Sequence, residues 1–231
     1  YVQGQIGAVA GGAANCARGN CSFTGGGYSN DAFGAFSTVA GCYNNSACAA
    51  CSTIGGGQSL FIHSCQKHAV IGGGRSNCIT YFSGYTPAAA NDGNFINSGV
   101  NNCICICTTS GTYNTLGGGQ QNKIFANVGN STIAGGAANI ICNTTGFDYG
   151  SFIGGGSANC IINGDDSVIV GGSANCIDAN DNNFIGGGCF NTGSANFGVI
   201  VGGCKNYITS DGESGFIGGG RCNSVCSVDG F

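Results

Sequence analysis

Tryptophan and methionine are absent, there is one proline, and charged residues make up only 7% of the 231 positions. Soluble domains usually carry roughly 25% charge. The six Lys and Arg are scattered and the net charge is -4, so no basic footprint for nucleic acid is present. No apolar run approaches the roughly 20 residues that a membrane-spanning helix needs, and no signal-peptide pattern is visible. Membrane insertion is not expected. Glu213 is the one glutamate. The chain opens on Tyr1 rather than Met, which points to a fragment or processed part of a longer chain.

What is present is glycine (47) and cysteine (17) in a chain that is 42% apolar. Glycine without a strict three-residue period excludes collagen. The apolar content, rich in Ile, argues for a packed core rather than disorder.

The stretch SANCIINGDDSVIVGGSANCI, Ser157 to Ile177, contains the same five residues twice, sixteen residues apart. Aligned on the asparagine, this period runs along the whole chain. The column is Asn15, Asn30, Asn45, then Leu60 as the exception, then Asn77, Asn102, Asn122, Asn139, Asn159, Asn175, Asn191, Asn206 and Asn223. Most steps are 15 to 20 residues, with one of 25. Three and four residues before the asparagine, glycine fills twelve of thirteen places in each column, Cys42 and Ser98 excepted. Six before, the column is almost entirely Ile, Val and Leu, and two after it is dominated by Ile. A β-branched column recurring once per period describes a stack of short strands with one face turned inward. Helices are unfavourable, because each interior glycine costs about 0.5–1 kcal/mol there. Asparagine suits the left-handed geometry of a sharp corner, and a stacked amide can bond the next one along the axis.

Seven residues before the asparagine stand Phe23, Phe95, Phe152, Val168, Phe184, Val199 and Phe216, with Ala, Thr and Val70 at the remaining places. Neighbours on a strand point to opposite faces. One face fills the coil, so the other carries an apolar stripe into water, and such stripes mark interfaces. We expect this column to be a subunit seam. The small residues and glycines that follow would let backbones approach it closely.

The segments SVIVG (Ser167 to Gly171), STIAGG (Ser131 to Gly136), STIGGG (Ser52 to Gly57) and SFIGGG (Ser151 to Gly156) resemble the head repeat of YadA-type trimeric autotransporter adhesins. They are more similar still to the GGGxxN repeats of fibre and adhesin-like proteins of bacteria, marine phages and large viruses. The glycine runs are longer than the single glycine usual in the head repeat, and its cysteines are foreign to most adhesin heads. The resemblance implies a left-handed parallel β-roll in which three chains pack around one axis. It implies a homotrimer on a virion surface, or an extracellular or cell-surface location, with a host-surface receptor or glycan and neighbouring fibre or filament subunits as partners.

The longest insertions, Thr80 to Asp92 and Cys105 to Tyr113, place Tyr81, Phe82, Tyr85 and Tyr113 as aromatic candidates for recognition loops. Seventeen cysteines cannot all pair within one chain. Cys160 with Cys176, then Cys189 with Cys204, recur on neighbouring rungs and are the best candidates for bridges. Cysteine also packs as a small hydrophobe, and packed thiols are the favoured reading. CICIC (Cys103 to Cys107), His63, Cys65, His68 and CAAC (Cys48 to Cys51) lack paired zinc-ligand spacing, so neither metal nor other cofactor is expected. Asp165, Asp166, Asp178 and Asp181 are the nearest thing to a carboxylate pair, but they lie in Asn- and Gly-rich turns. No nucleophile elbow or phosphate loop occurs.

The expectation is an all-β, single-domain parallel β-solenoid (a β-roll) over residues 1–231. It has about 13 rungs of 15–20 residues and is a trimeric rod roughly 60 Å long at about 4.8 Å per rung. Its expected role is a non-catalytic fibre or adhesin module that presents loops for attachment. Alternatives are a self-assembling extracellular filament subunit, or an ice-binding solenoid using Thr38, Thr53, Thr115 and Thr132.

Overall fold

The computed structural model describes residues 1–81, 91–106, 113–178 and 181–226. It is an all-β solenoid, with no helix among the described residues. Each coil contributes one short strand to each of two parallel sheets. The chain divides into two compact units, Tyr1–Gln120 and Gln121–Phe231.

In the first unit the first sheet is built from strands such as Phe23–Thr24, Thr38–Val39, Thr53–Ile54, Val70–Ile71 and Phe95–Ile96. The second sheet runs through Cys16–Ala17, Asp31–Ala32, Ser46–Ala47, Phe61–Ile62, Cys78–Tyr81 and Cys103–Ile106. The second unit repeats the plan with Phe152–Ile153, Val168–Ile169, Phe184–Ile185, Val199–Ile200 and Phe216–Ile217 in the first sheet. Cys160–Ile162, Cys176–Asp178, Thr192–Gly193 and Tyr207–Ile208 stand in its second sheet. Register is strict: Phe152 lies opposite Val168, and Ile153 opposite Ile169.

A third ladder consists of single bridges two residues before the column asparagine. In the first unit it runs Ala13, Tyr28, Tyr43, Gln58, Arg75, Val100 and Gln120; in the second, Ala137, Ser157, Ser173, Cys189, Cys204 and Arg221. The strands are short because glycine corners interrupt them, yet within each unit the described rungs are tied to their neighbours. Val168 donates its N–H to Asn183 O at 2.8 Å and Val170 to Ile185 O at 3.0 Å.

The core is a double file of aliphatic side chains. Ile54, Ile71 and Ile96 face Ile62, Ile79 and Ile104 in the first unit, all fully buried. Ile153, Ile169 and Ile185 with Ile141, Ile161 and Ile177 do the same in the second. Each contributes about 1.5–3 kcal/mol of hydrophobic stabilisation. Where Thr24 replaces an aliphatic residue in the inner file, its Oγ1 donates to Cys16 O at 2.7 Å, so the buried hydroxyl is satisfied.

The asparagines form the expected ladder of side-chain bonds, but their role at the corner differs from expectation. The left-handed conformation is taken by the residue before each asparagine, from Ala14 and Ser29 to Lys205 and Cys222, at φ of 54–59°. The asparagine side chain turns inward instead. Asn175 Nδ2 donates to Gly171 O at 2.9 Å, to Gly188 O at 3.1 Å and to Asn159 Oδ1 at 3.2 Å. Its Oδ1 accepts the N–H of Asn191 at 3.0 Å and the Asn191 amide at 3.1 Å. One amide therefore closes its own corner and joins three rungs. Leu60 shows what the exception costs. It is buried and its N–H reaches Asn45 Oδ1 at 3.0 Å, but its side chain passes no hydrogen bond onward.

Candidate interaction face

The first sheet turns one column outward along each unit. In the first unit Phe23 and Phe95 are 41% and 36% exposed, with Thr38, Thr53 and Val70 half-buried between them. In the second, Phe152, Val168 and Val199 are half-buried, while Phe184 and Phe216 are 36% and 47% exposed. Their strand neighbours, such as Ile153, Ile169 and Ile185, are fully buried. Strand alternation thus places every seam residue named from the sequence on the outside.

Beside this column lies one that lacks side chains. In the second unit Gly135, Gly155, Gly171, Gly187, Gly202 and Gly219 have nothing within 4 Å of where a Cβ would stand. The next glycine in each pair has the opposite surroundings. A Cβ on Gly172, at φ +91°, would run into Gly188 O and lie 2.6 Å from Asn175 Nδ2. One glycine of the pair is therefore required by the coil, while the other leaves bare backbone; the aromatic rings themselves lie over the glycine before the pair, with Phe152, Phe184 and Phe216 Cε1 3.3–3.4 Å from where a Cβ on Gly154, Gly186 and Gly218 would stand. Val170 and Val201, each directly before a glycine pair in sequence, are 49% exposed.

The recognition-loop candidates separate. Phe82 and Tyr85 lie outside the described residues. Tyr81 is not in a loop: Cys78–Tyr81 is a four-residue strand paired in register with Cys103–Ile106, so Thr80, Cys105 and Ile106 are strand as well. Tyr81 is half-buried, with its ring 6.2 Å from that of His63, and His63 in turn packs edge-on against Phe61. Phe33, Cys48, Phe61, His63 and Ser64 line a shallow hollow there. Tyr113 is 64% exposed, its ring over Gly93. On the third ladder Tyr28 and Tyr43 stack at 5.7 Å, both exposed.

The carboxylates serve the coil. Asp181 Oδ1 accepts the N–H of Asp165 at 3.0 Å, and the N–H of Asp181 is accepted by Asn196 Oδ1 at 3.1 Å, a short side-chain ladder along one turn. Asp31 stands on the outward column of the second sheet, 3.3 Å from Arg18. Burial raises its carboxyl above the usual range, and Arg18 offsets part of that rise. Among the described residues no three His, Cys, Asp or Glu side chains converge as a metal site.

A second polar column escaped the sequence reading. Eight residues before the column asparagine, the described residues include Ser22, Ser37, Ser52, Asn94 and Asn114 in the first unit. In the second they include Ser131, Ser151, Ser167 and Asn183; all nine are buried. Asn114 N–H donates to Asn94 Oδ1 at 3.0 Å, Asn183 N–H to Ser167 Oγ at 3.1 Å, and Gly198 N–H to Asn183 Oδ1 at 3.0 Å. The signal was a column of small polar residues, obscured where Ala69, Gly198 and Gly215 occupy it.

No family model matches the chain, and no curated protein is similar enough to count as a relative.

Proposed function

We propose that the chain is a non-catalytic structural module, a trimeric solenoid head or shaft of a viral fibre or surface adhesin. The observation that carries this reading is the outward first-sheet column. A coil closes its own core with the inner column alone, so half-exposed Phe23, Phe95, Phe184 and Phe216 add nothing to a solitary chain. Three copies packed around a common axis would bury this stripe, and the glycines with open space around them would admit another backbone at close range. Aromatic side chains bury roughly 150–250 Å² each, so a file of Phe on each chain is ample for a stable seam. The exposed Tyr113 and the hollow around His63 face away from the core and are open to a receptor or glycan.

Threonine rows of the kind an ice-binding face needs are short here. Thr38 lies opposite Thr53, but Phe23 precedes the pair and Val70 follows it. The test of the proposal is mass in solution: a trimer supports it, and a monomer at micromolar concentration rejects it.

A further inference from the structure

The cysteines recur in the same outward columns as other surface residues, but three pairs occupy neighbouring rungs. Cys78 lies opposite Cys103 and Cys160 opposite Cys176 in the second sheet, and Cys189 lies opposite Cys204 on the third ladder. The sulfurs of Cys189 and Cys204 are 2.6 Å apart and those of Cys78 and Cys103 are 2.7 Å apart. Non-bonded heavy atoms settle at roughly 3.5–4.0 Å, so these sulfurs are already inside ordinary contact. In-register rungs set Cα atoms roughly 4.8 Å apart, within the span a disulfide bridges. Cysteines without such a neighbour provide the contrast. Cys16 faces Asp31 across its ladder, Cys48 lies against the Ser46 hydroxyl at 3.2 Å and Cys226 against that of Ser224 at 3.0 Å.

We propose that Cys78–Cys103, Cys160–Cys176 and Cys189–Cys204 are inter-rung clasps that close as disulfides when the chain meets a low-molecular-weight disulfide. The thiolate of one cysteine attacks one sulfur of the oxidant RSSR, forming a mixed disulfide and expelling RS⁻, which takes up a proton as RSH. The partner thiol loses its proton and attacks the protein sulfur of that mixed disulfide, forming the inter-rung S–S bond and expelling the second RSH. Two protein thiols are oxidised and one small disulfide is reduced to two thiols. In the Cys160–Cys176 pair, Cys176 donates a hydrogen bond to Cys160. That bond holds the Cys160 thiol below its ordinary value and pushes Cys176 up. Cys160 is therefore the more readily ionised thiol of the pair. All six side chains are half-buried. They lie on the second sheet and the third ladder, not on the first-sheet column. The proposal therefore does not depend on the trimer.

The test is a cysteine map of the full chain after exposure to oxidised glutathione, raised until exposed Cys21 carries a glutathione adduct. Remaining thiols are alkylated and the chain is digested with chymotrypsin without reductant. The expected map shows the three named pairs as linked peptides, with none of those six cysteines alkylated or carrying glutathione, whereas all six are alkylated in the reduced sample. In Cys204→Ser, Cys189 is expected to retain a glutathione adduct that the unaltered chain does not accumulate. Adducts or alkylation at both members of the pairs while Cys21 is modified, links to other cysteines, or links between chains at these positions would each overturn the proposal.

Discussion

Replacing Asn175 with alanine should separate the ladder's contribution from that of simple packing. The substitution removes the donor to Gly171 O and leaves the N–H of Asn191 without its acceptor. Gly188 O keeps the N–H of Ser173 at 2.9 Å, and Asn159 Oδ1 keeps the N–H of Asn175 at 3.0 Å. Asn191 Nδ2 loses one acceptor but keeps Gly187 O and Gly203 O, so two groups lose the partner they have, one of them a fully enclosed amide. At about 1–3 kcal/mol for a buried group left unsatisfied, with less for the carbonyl, the cost is about 2–4 kcal/mol. Asn223→Ala provides the control. Its Nδ2 donates to the exposed Gly219 O at 2.8 Å and to Asn206 Oδ1 at 3.1 Å, and the latter keeps the N–H of Asn223. That change should cost under about 1 kcal/mol. Asn175→Leu, which copies the natural Leu60, should fall between the two. Urea unfolding compares the three variants, and native-state hydrogen exchange at the Asn191 amide gives a local readout that does not assume two-state behaviour of a repeat array. An Asn175→Ala midpoint equal to that of the unaltered chain, with the Asn191 amide still protected, would refute the reasoning.

Three further outcomes are expected. In a Phe184→Asp background, Gly172→Ala puts a methyl group against Gly188 O at a φ of +91° and should cost about 1–3 kcal/mol, whereas Gly171→Ala, with open space around it in its own coil, should change the urea midpoint far less. Phe184→Asp should lower the assembled mass while leaving the far-ultraviolet circular dichroism intact, because Phe184 is outside the coil's own core. The raised Asp31 carboxyl means that the folded chain binds that proton more tightly than the unfolded chain does. Its contribution is fully present below the ordinary Asp value of about 3.9 and is lost as pH rises through the higher folded value. Asp31→Asn should flatten stability against pH in that interval, and an unchanged pH profile would count against it.

The architecture was legible because two periods coincide. Ile169 and Val168 alternate in and out with the strand period, and both recur with the coil period, so sidedness could be read residue by residue. The corner was less legible. Its left-handed position is filled by Ala174, Phe190, Lys205 and Cys222 among others, and no shared side-chain chemistry marks it. The neighbouring asparagine is conspicuous because its amide must bond along the stack, which drew the backbone role to the wrong residue. The long strands Lys123–Gly129 and Ile140–Tyr149 were also hidden. Their added residues include Asn143, Thr144 and Gly146, which read as turn formers in isolation; Asn143 nonetheless pairs with Ala126, and after a register shift the ladder resumes at Asp148 and Tyr149.

The candidate face shows both the reach and the limit of the sequence. Outward placement of Phe23, Phe95, Phe184 and Phe216 followed from alternation alone. The glycine column with open space beside it did not, because two consecutive glycines look alike until the next coil is stacked on one of them. The cysteine pairs were visible as neighbours in the repeat, but the closeness of their sulfurs depends on side-chain direction, which periodicity does not report.

Sedimentation equilibrium of the purified chain at micromolar concentration tests the central claim most directly. The account predicts a particle of three times the 22.7 kDa chain mass that dissociates on Phe184→Asp. A monomer with the same stripe exposed to water would contradict it.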